Sequence, residues 1–426
     1  MCVATPGRLA ASVAVIVMAC VSRAFAQESV PCSLRITRSN VVQCALRASL
    51  AVKSEGQELE AAEARKVSVS PLLPSNPVLA LSGGKTSSPS LAAYTWSLTL
   101  SQELEIAGQR GLRRDAAEAS RAAQSTRVIL SHRDTAAVAW FAFFEAVAAG
   151  EEQRLAERLT TATQAVAIAA RARADEGLIA AVDADMADAA TVQVLETKLA
   201  ADRRTYQGRA TLASVLGLDP AQGTLTVEGE LVPIPEVASY AAVGLAGRPE
   251  VQVIDAERRA LELRADALRR TRISNPTVSI FAQSDEFNDR ILGVGLSFPV
   301  PLPGNLGRTY IGEIAEAEAL ARRATTERER VEREIRLEVV IAAQTFVSRG
   351  KEVEAFTPER LSRAGTTLVS LGQEVAAGRL AVRDAVVAQR ALIELLRADV
   401  EARRAWCLAS VDLARAEGLP LEGRSP

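Results

Sequence analysis

The sequence is written twice, and that constrains its fold more than any other feature. Glu176-Gly177-Leu178-Ile179-Ala180-Ala181-Val182-Asp183-Ala184 returns as Ala377-Gly378-Arg379-Leu380-Ala381-Val382-Arg383-Asp384-Ala385, at an offset of 201 residues. The same offset carries Gly217 onto Gly418, an offset of 199 carries Asn76-Pro77 onto Asn275-Pro276, and 196 carries Gly108 and Gly111 onto Gly304 and Gly307. Landmarks that recur in one order at nearly one spacing mark a tandem duplication, so each copy must build the same unit.

Each copy opens on a strand signal. Ala92, Tyr94, Trp96, Leu98 and Leu100 alternate with Ala93, Thr95, Ser97, Thr99 and Ser101, which is the period of two of a half-buried strand. The second copy repeats the pattern, with Leu292, Val294, Leu296, Phe298 and Val300 on one side and Gly293, Gly295 and Ser297 on the other. Shorter partners, Val78 to Ser82 and Val278 to Gln283, precede them across turn-rich residues. One β-hairpin per copy is predicted, over about 77–102 and 276–302.

The rest of each copy reads as helix. No proline falls between Pro89 and Pro220, and a single helix from about 104 to 175 would run roughly 105 Å at ~1.5 Å per residue. Leu155, Leu159, Ala162, Val166 and Ala169 step by four, three, four and three, the seam of a coiled coil. The pattern breaks at Gly177, and a second helix from Asp183 to Leu216 runs back along the first. The other copy turns at Gly378, with arms of about 309–376 and 384–417. Residues 217–248 are rich in Gly and Pro and contain a short strand candidate, Thr224 to Val227. Pro249 sits at the first turn of a helix to Arg272, and the segment from Ser39 to Val69 plays the same part for the first hairpin.

The N-terminus reads as a signal peptide, with Arg8, an uncharged stretch from Leu9 to Ser22, and Ala24-Phe25-Ala26 as the cleavage signal. A rival reading takes Val17-Met18-Ala19-Cys20 as a lipoprotein box with Cys20 acylated. The expected organisation is a signal peptide over 1–26, a first repeat over 27–216, an irregular segment over 217–248, a second repeat over 249–420 and a tail over 421–426. After cleavage Cys32, Cys44 and Cys407 remain in an oxidising compartment. Spacing leaves two states open for Cys32 and Cys44: a disulfide, or a loop thiol beside a small apolar helix residue.

Two hairpins give four strands, each with one apolar side. A closed barrel needs about eight strands or more, and open edges are not tolerated in lipid. Three copies would supply twelve strands, an even number in the range of outer-membrane barrels, with six coiled-coil hairpins on the same axis.

Gln102-Glu103-Leu104-Glu105-Ile106-Ala107-Gly108-Gln109-Arg110, Arg248-Pro249-Glu250, Asn275-Pro276-Thr277-Val278 and the run Gly293 to Pro303 resemble the signature stretches of the TolC-type outer membrane efflux factors. The resemblance spans roughly 39–420 and is nearest to the CzcC-like heavy-metal efflux branch. It implies a fold that is mainly α with a small β part: a trimeric, twelve-stranded barrel continued by a long periplasmic α-helical coiled-coil barrel. The implied partners are two further copies of the chain, outer membrane lipid, a periplasmic adaptor protein and an inner-membrane resistance-nodulation-division pump.

By position in that family, Gly177, Leu178, Ile179, Gly378, Arg379 and Leu380 form the adaptor-facing tips. Asp384, and Asp183 in the first copy, match an acidic ring that constricts the pore, where like charges around a narrow opening attract cations and repel one another. The plainer alternative is an Asp capping the helix that follows the turn. The family's second acidic position is Val387 here, a departure from the pattern. Tyr94 and Trp96 fit an interfacial aromatic belt, or else packing in the trimer seam.

Other chemistries find no support. Fifty basic against 52 acidic side chains exclude a strongly basic nucleic-acid binder. His132 is the single histidine and supplies one of the roughly four ligands a metal site needs. Gly84-Lys85-Thr86 resembles the end of a phosphate loop, but Leu79 stands where its first glycine belongs. Without a catalytic constellation the chain is expected to be no enzyme and to need no cofactor or metal. A duct for metal cations, a duct for drugs, solvents or secreted protein, and a secreted coiled-coil scaffold without a pore are the functions that compete.

Overall fold

The computed structural model describes residue 32 and residues 34–88, 91–219, 225–234, 245–284, 289–300, 309–419 and 421. The expected signal peptide and Cys20 lie outside them, and the chain from Leu34 onward forms one compact unit. Its elements are β1 Arg35–Thr37, α1 Val41–Ala48, α2 Leu50–Ser68, β2 Val78–Ser88, β3 Leu91–Glu103, α3 Gln109–Asp175, α4 Ala181–Val215, β4 Thr226–Glu228, α5 Pro249–Thr271, β5 Thr277–Ser284, β6 Arg290–Ser297, α6 Ile311–Glu354, α7 Pro358–Ala376 and α8 Val382–Glu417. The fold class is the expected one, mainly α with a small β part. No helix among the described residues is long and apolar enough to cross a membrane.

Both hairpins are present and they join, giving one antiparallel sheet in the order β2-β3-β5-β6 with β2 and β6 as free edges. Each strand continues into a helix, and the helices keep the strand order: α2 packs on α3, α3 on α5 and α5 on α6. The pairing Leu81↔Leu98, Leu98↔Ala282 and Ala282↔Leu292 sets the period-two positions of all four strands on one face. That face is uncovered in the single chain: Leu292 is 80% exposed and Tyr94 75%. The other face carries Ser82 and Ser97, hydrogen-bonded at 2.8 Å, but it also carries Phe281. The Phe281 ring covers Gly293 so closely that an added Cβ would stand 2.4 Å from its Cζ, so small polar residues do not line this face alone.

Four boundaries differ from the sequence reading, each for a local reason. The expected arm 309–376 is two helices, because Pro358 cannot continue α6; it starts α7 instead, with Thr357 capping the Arg360 N–H at 3.4 Å. The N-terminal helix breaks at Ser49, whose hydroxyl accepts the Val52 N–H at 3.3 Å and restarts the chain as α2. Strand β6 stops at Ser297 because Pro299 has no N–H to give a ladder. The short strand of the middle segment, expected over Thr224 to Val227, is β4, and its partner is the unforeseen β1, in parallel register from Arg35↔Thr226.

The helices pack through small residues. Ala136, Ala139 and Ala170 of α3 are fully buried, and a Cβ on Gly208 of α4 would meet the Ala146 Cα at 3.3 Å. Close axes follow from small contacts, which is the physical meaning of the alanine-rich composition. The bulky core gathers where the repeats meet. Trp140, Phe143 and Phe144 form a ring cluster on α3, with Arg38 stacked 5.5 Å from the Trp140 centroid and donating to the Val232 and Pro233 carbonyls. The indole N–H of Trp140 donates to the Leu421 carbonyl at 3.0 Å, so chain start, middle segment and chain end are tied to one helix.

Candidate functional site

The two tips are built alike. At the first, Gly177 takes φ +74°, its N–H reaches the Ala174 carbonyl at 2.9 Å, and the Leu178 N–H reaches the Arg173 carbonyl at 2.9 Å. At the second, Gly378 takes φ +72°, with Gly378 N–H to Val375 at 3.0 Å and Arg379 N–H to Glu374 at 3.0 Å. Both are left-handed helix ends in which glycine is the residue that fits, so the duplicated glycine is a duplicated turn. Ile179 and Leu380 are half-buried under their turns, whereas Leu178 and Arg379 are exposed. The tips thus present an apolar side chain in one copy and a cation in the other.

The structure also assigns the carboxylates. Ala180 and Ala381, not the aspartates, occupy the caps of α4 and α8, which corrects the capping alternative. Asp183 and Asp384 lie in the first turns of those helices, where negative charge complements the helix dipole. Asp384 is exposed and Asp183 half-buried, and the apolar Val387 lies exposed one turn beyond Asp384.

A residue the sequence did not single out joins the two tips. Arg173, in the last turn of α3, donates from Nη1 to the Val375 carbonyl at 2.8 Å, across a separation of 202 residues. Its guanidinium lies over Gly378, where a Cβ would meet Nη1 at 3.0 Å and Cζ at 3.3 Å. The missing side chain of Gly378 is therefore filled by an arginine of the other repeat. Beside it Arg379 makes a two-pronged ion pair with Glu374, both contacts at 2.7 Å, and this pairing holds the Glu374 carboxyl below its ordinary range. Higher on the first tip, Arg171 of α3 straps Asp185 and Asp188 of α4.

A second polar knot lies where α3, α5 and α8 meet. Arg248 is 1% exposed, donates to the Ala416 carbonyl and pairs with Glu250 at 3.1 Å. Arg133 is buried beside it, donating to the Arg415 carbonyl and to Glu250 at 2.9 Å. Two guanidinium groups thereby serve carbonyls in the last turn of α8, that of Arg415 beside the Gly418 N–H at 3.2 Å and that of Ala416. Burial pushes the Glu250 carboxyl up, but the bonds from Arg248 and the charge of Arg133 outweigh it and leave the group below its ordinary range. The Arg133 guanidinium is lowered, chiefly by burial.

Cys44 is buried on α1 and disulfide-bonded, and so is Cys32. Cys407 is a free, fully buried thiol, which burial pushes up to about 12. Alkylation of the native protein at pH 8 without reductant is expected to leave Cys407, Cys32 and Cys44 unmodified. Label on any of the three would contradict this. Tyr94 and Trp96 stand on the uncovered apolar face toward the end of the sheet far from the helices. Among the described residues, no three His, Cys, Asp or Glu side chains are grouped as a metal site requires.

The fold is an up-and-down sheet with an uncovered apolar face, continued strand by strand into a long coiled coil. Residues 41–218 match the family model described as outer membrane efflux protein. The outer-membrane channel OprN has the same fold, with a TM-score of 0.72 at 16% identity over 90% of each chain. CusC, a protein that forms a transmembrane channel, gives 0.71 at 14% identity over 89% of this chain and 92% of its own. The outer membrane protein VceC of Vibrio cholerae gives 0.68 at 17% identity over 90% and 96%. At these identities the likeness is one of fold. No curated protein matches the chain in sequence.

Proposed function

We propose that three copies of this chain form the outer membrane exit duct of a tripartite efflux system, a conduit rather than an enzyme, whose cargo is heavy-metal cations. The sheet carries the reading: four strands with both edges open and one apolar face exposed have no stable solution in lipid except closure by further copies. Exposed apolar stripes support it, with Val192, Leu195 and Leu199 along α4 and Leu337, Val340 and Ile341 along α6. The duct would be anchored in the outer membrane by its sheets, with the helices in the periplasm. The tips around Gly177 and Gly378 would meet an adaptor that joins the duct to an inner-membrane resistance-nodulation-division pump.

In this reading the tip is the gate, with Arg173 tying the two repeats of each protomer and Asp384 contributing to an acidic constriction. Replacing Asp384 by Ala is expected to change the cation selectivity of the reconstituted channel and raise its conductance, since three like charges would leave the opening. Unchanged conductance and selectivity would remove Asp384 from the gate.

The metal cargo rests on the likeness of the Gln102 to Arg110 stretch to the heavy-metal branch. It is tested by growth of a strain lacking this protein on zinc, cobalt, cadmium, nickel and copper beside dyes, detergents and antibiotics. Sensitivity confined to metals is expected. Sensitivity confined to organic toxins would keep the duct and overturn its cargo.

A further inference from the structure

Row by row, the apolar face of the sheet changes character toward the end far from the helices. Leu79, Leu100, Ile280 and Val294 share one row across the four strands, and Leu81, Leu98, Ala282 and Leu292 the next. The third row is Gly83, Trp96, Ser284 and Arg290, and beyond it Lys85 stands opposite Tyr94. Arg290 and Lys85 are the only charged side chains on this face among the described strand residues, and both are cations. The Lys85 ammonium stands 5.9 Å from the centre of the Tyr94 ring. Asp289 lies outside the strands, just before β6.

Charge on a lipid-facing surface is tolerated where the hydrocarbon ends, and Trp and Tyr collect at that level. Strand β2 carries Lys85 and strand β6 carries Arg290, and these are the two free edges of the sheet. Closure of a ring of copies sets β6 of one protomer beside β2 of the next, so each seam is flanked by Arg290 from one side and Lys85 from the other, at the same end and on the same face. From this juxtaposition we propose that each seam binds a phosphate group of the glycolipid that forms the outer leaflet, with Lys85 and Arg290 as its cations and Tyr94 and Trp96 as the platform beneath. The inference rests on the trimeric barrel reading. A phosphate monoester carries close to two negative charges and accepts several hydrogen bonds, which suits a pair of cations at the edge of an apolar wall.

The test is native mass spectrometry of the full protein in detergent, titrated with a bis-phosphorylated lipid A, with its dephosphorylated form and with phosphatidylcholine. The trimer is expected to retain up to three bis-phosphorylated glycolipids. The double variant Lys85→Gln, Arg290→Gln should retain them at least tenfold more weakly while remaining trimeric, and the charge-keeping pair Lys85→Arg, Arg290→Lys should restore retention. Equal retention by the double variant, or equal retention of the dephosphorylated lipid or of phosphatidylcholine, overturns the proposal and leaves the barrel standing. Wild-type protein that is not trimeric in detergent overturns both.

Discussion

Replacing Arg248 by alanine will cost the folded protein about 3–5 kcal/mol, the range for removing one partner of a buried charged cluster. The guanidinium is 1% exposed and serves the Glu250 carboxylate and the Ala416 carbonyl together. Its loss leaves Glu250 facing Arg133 alone and strands a carbonyl at the end of α8 in a place water does not reach. The expected result is a large fall in the temperature at which the detergent-solubilised protein loses its helical signal, with little trimer recovered. Arg248→Lys will not restore it, because an ammonium cannot reach two acceptors in one plane. A melting temperature within a few degrees of wild type would show that this knot does not hold the repeats together. The pH dependence has a fixed sign. Glu250 titrates below its ordinary range in the folded protein, so its contribution is present at neutral pH and is lost as pH falls through that lowered value.

Replacing Arg173 by alanine will loosen the tip rather than the fold. The residue gives one charge-assisted bond to the Val375 carbonyl and fills the space over Gly378, and both interactions join helix ends from different repeats. Such a bond is worth about 1.5–3 kcal/mol, so a closed tip held by it should open roughly 10- to 100-fold more often in the variant. Single-channel recording in planar bilayers measures this directly, and a thermal melt on the same sample separates it from unfolding. Arg173→Lys should fall between the two, because an ammonium reaches the carbonyl but does not cover the glycine. Open probability equal to wild type would place Arg173 in tip packing alone.

Much of the fold was legible because its signals are local and occur twice. Gly177 and Gly378 announced the coiled-coil turns, since a left-handed helix end selects glycine wherever it occurs. The alternation from Ala92 to Leu100 announced β3 because an exposed apolar face demands period two. Pro358 is an equally local signal for the break between α6 and α7, and the first repeat, with Glu157 at the same offset, has no counterpart to it. The joining of the hairpins through β3 and β5 depended on register between segments almost two hundred residues apart, and no pattern within either hairpin carries that.

The polar contacts were hidden for a different reason. Arg173 is an ordinary arginine in the last turn of a helix, and its counterpart at the repeat offset is Glu374, so comparing the copies draws attention away from it. What makes it distinctive is the empty space over Gly378, which exists only once α3 and α7 have packed. Arg248 belonged to a recognisable Arg-Pro-Glu run, but the proline explained the run as a helix start and the carbonyl it serves lies 168 residues away. Asp183 and Asp384 lie in the first helical turns and not at the caps, since turns closed by glycine put alanine there.

The proposed duct closes its barrel only as three copies of this chain. Native mass spectrometry of the full protein, extracted from membranes in detergent and examined without cross-linking, tests it most directly. One dominant species of three chains that conducts ions when placed in a bilayer is expected. A monomer or dimer that stays soluble without detergent and carries no current would contradict it.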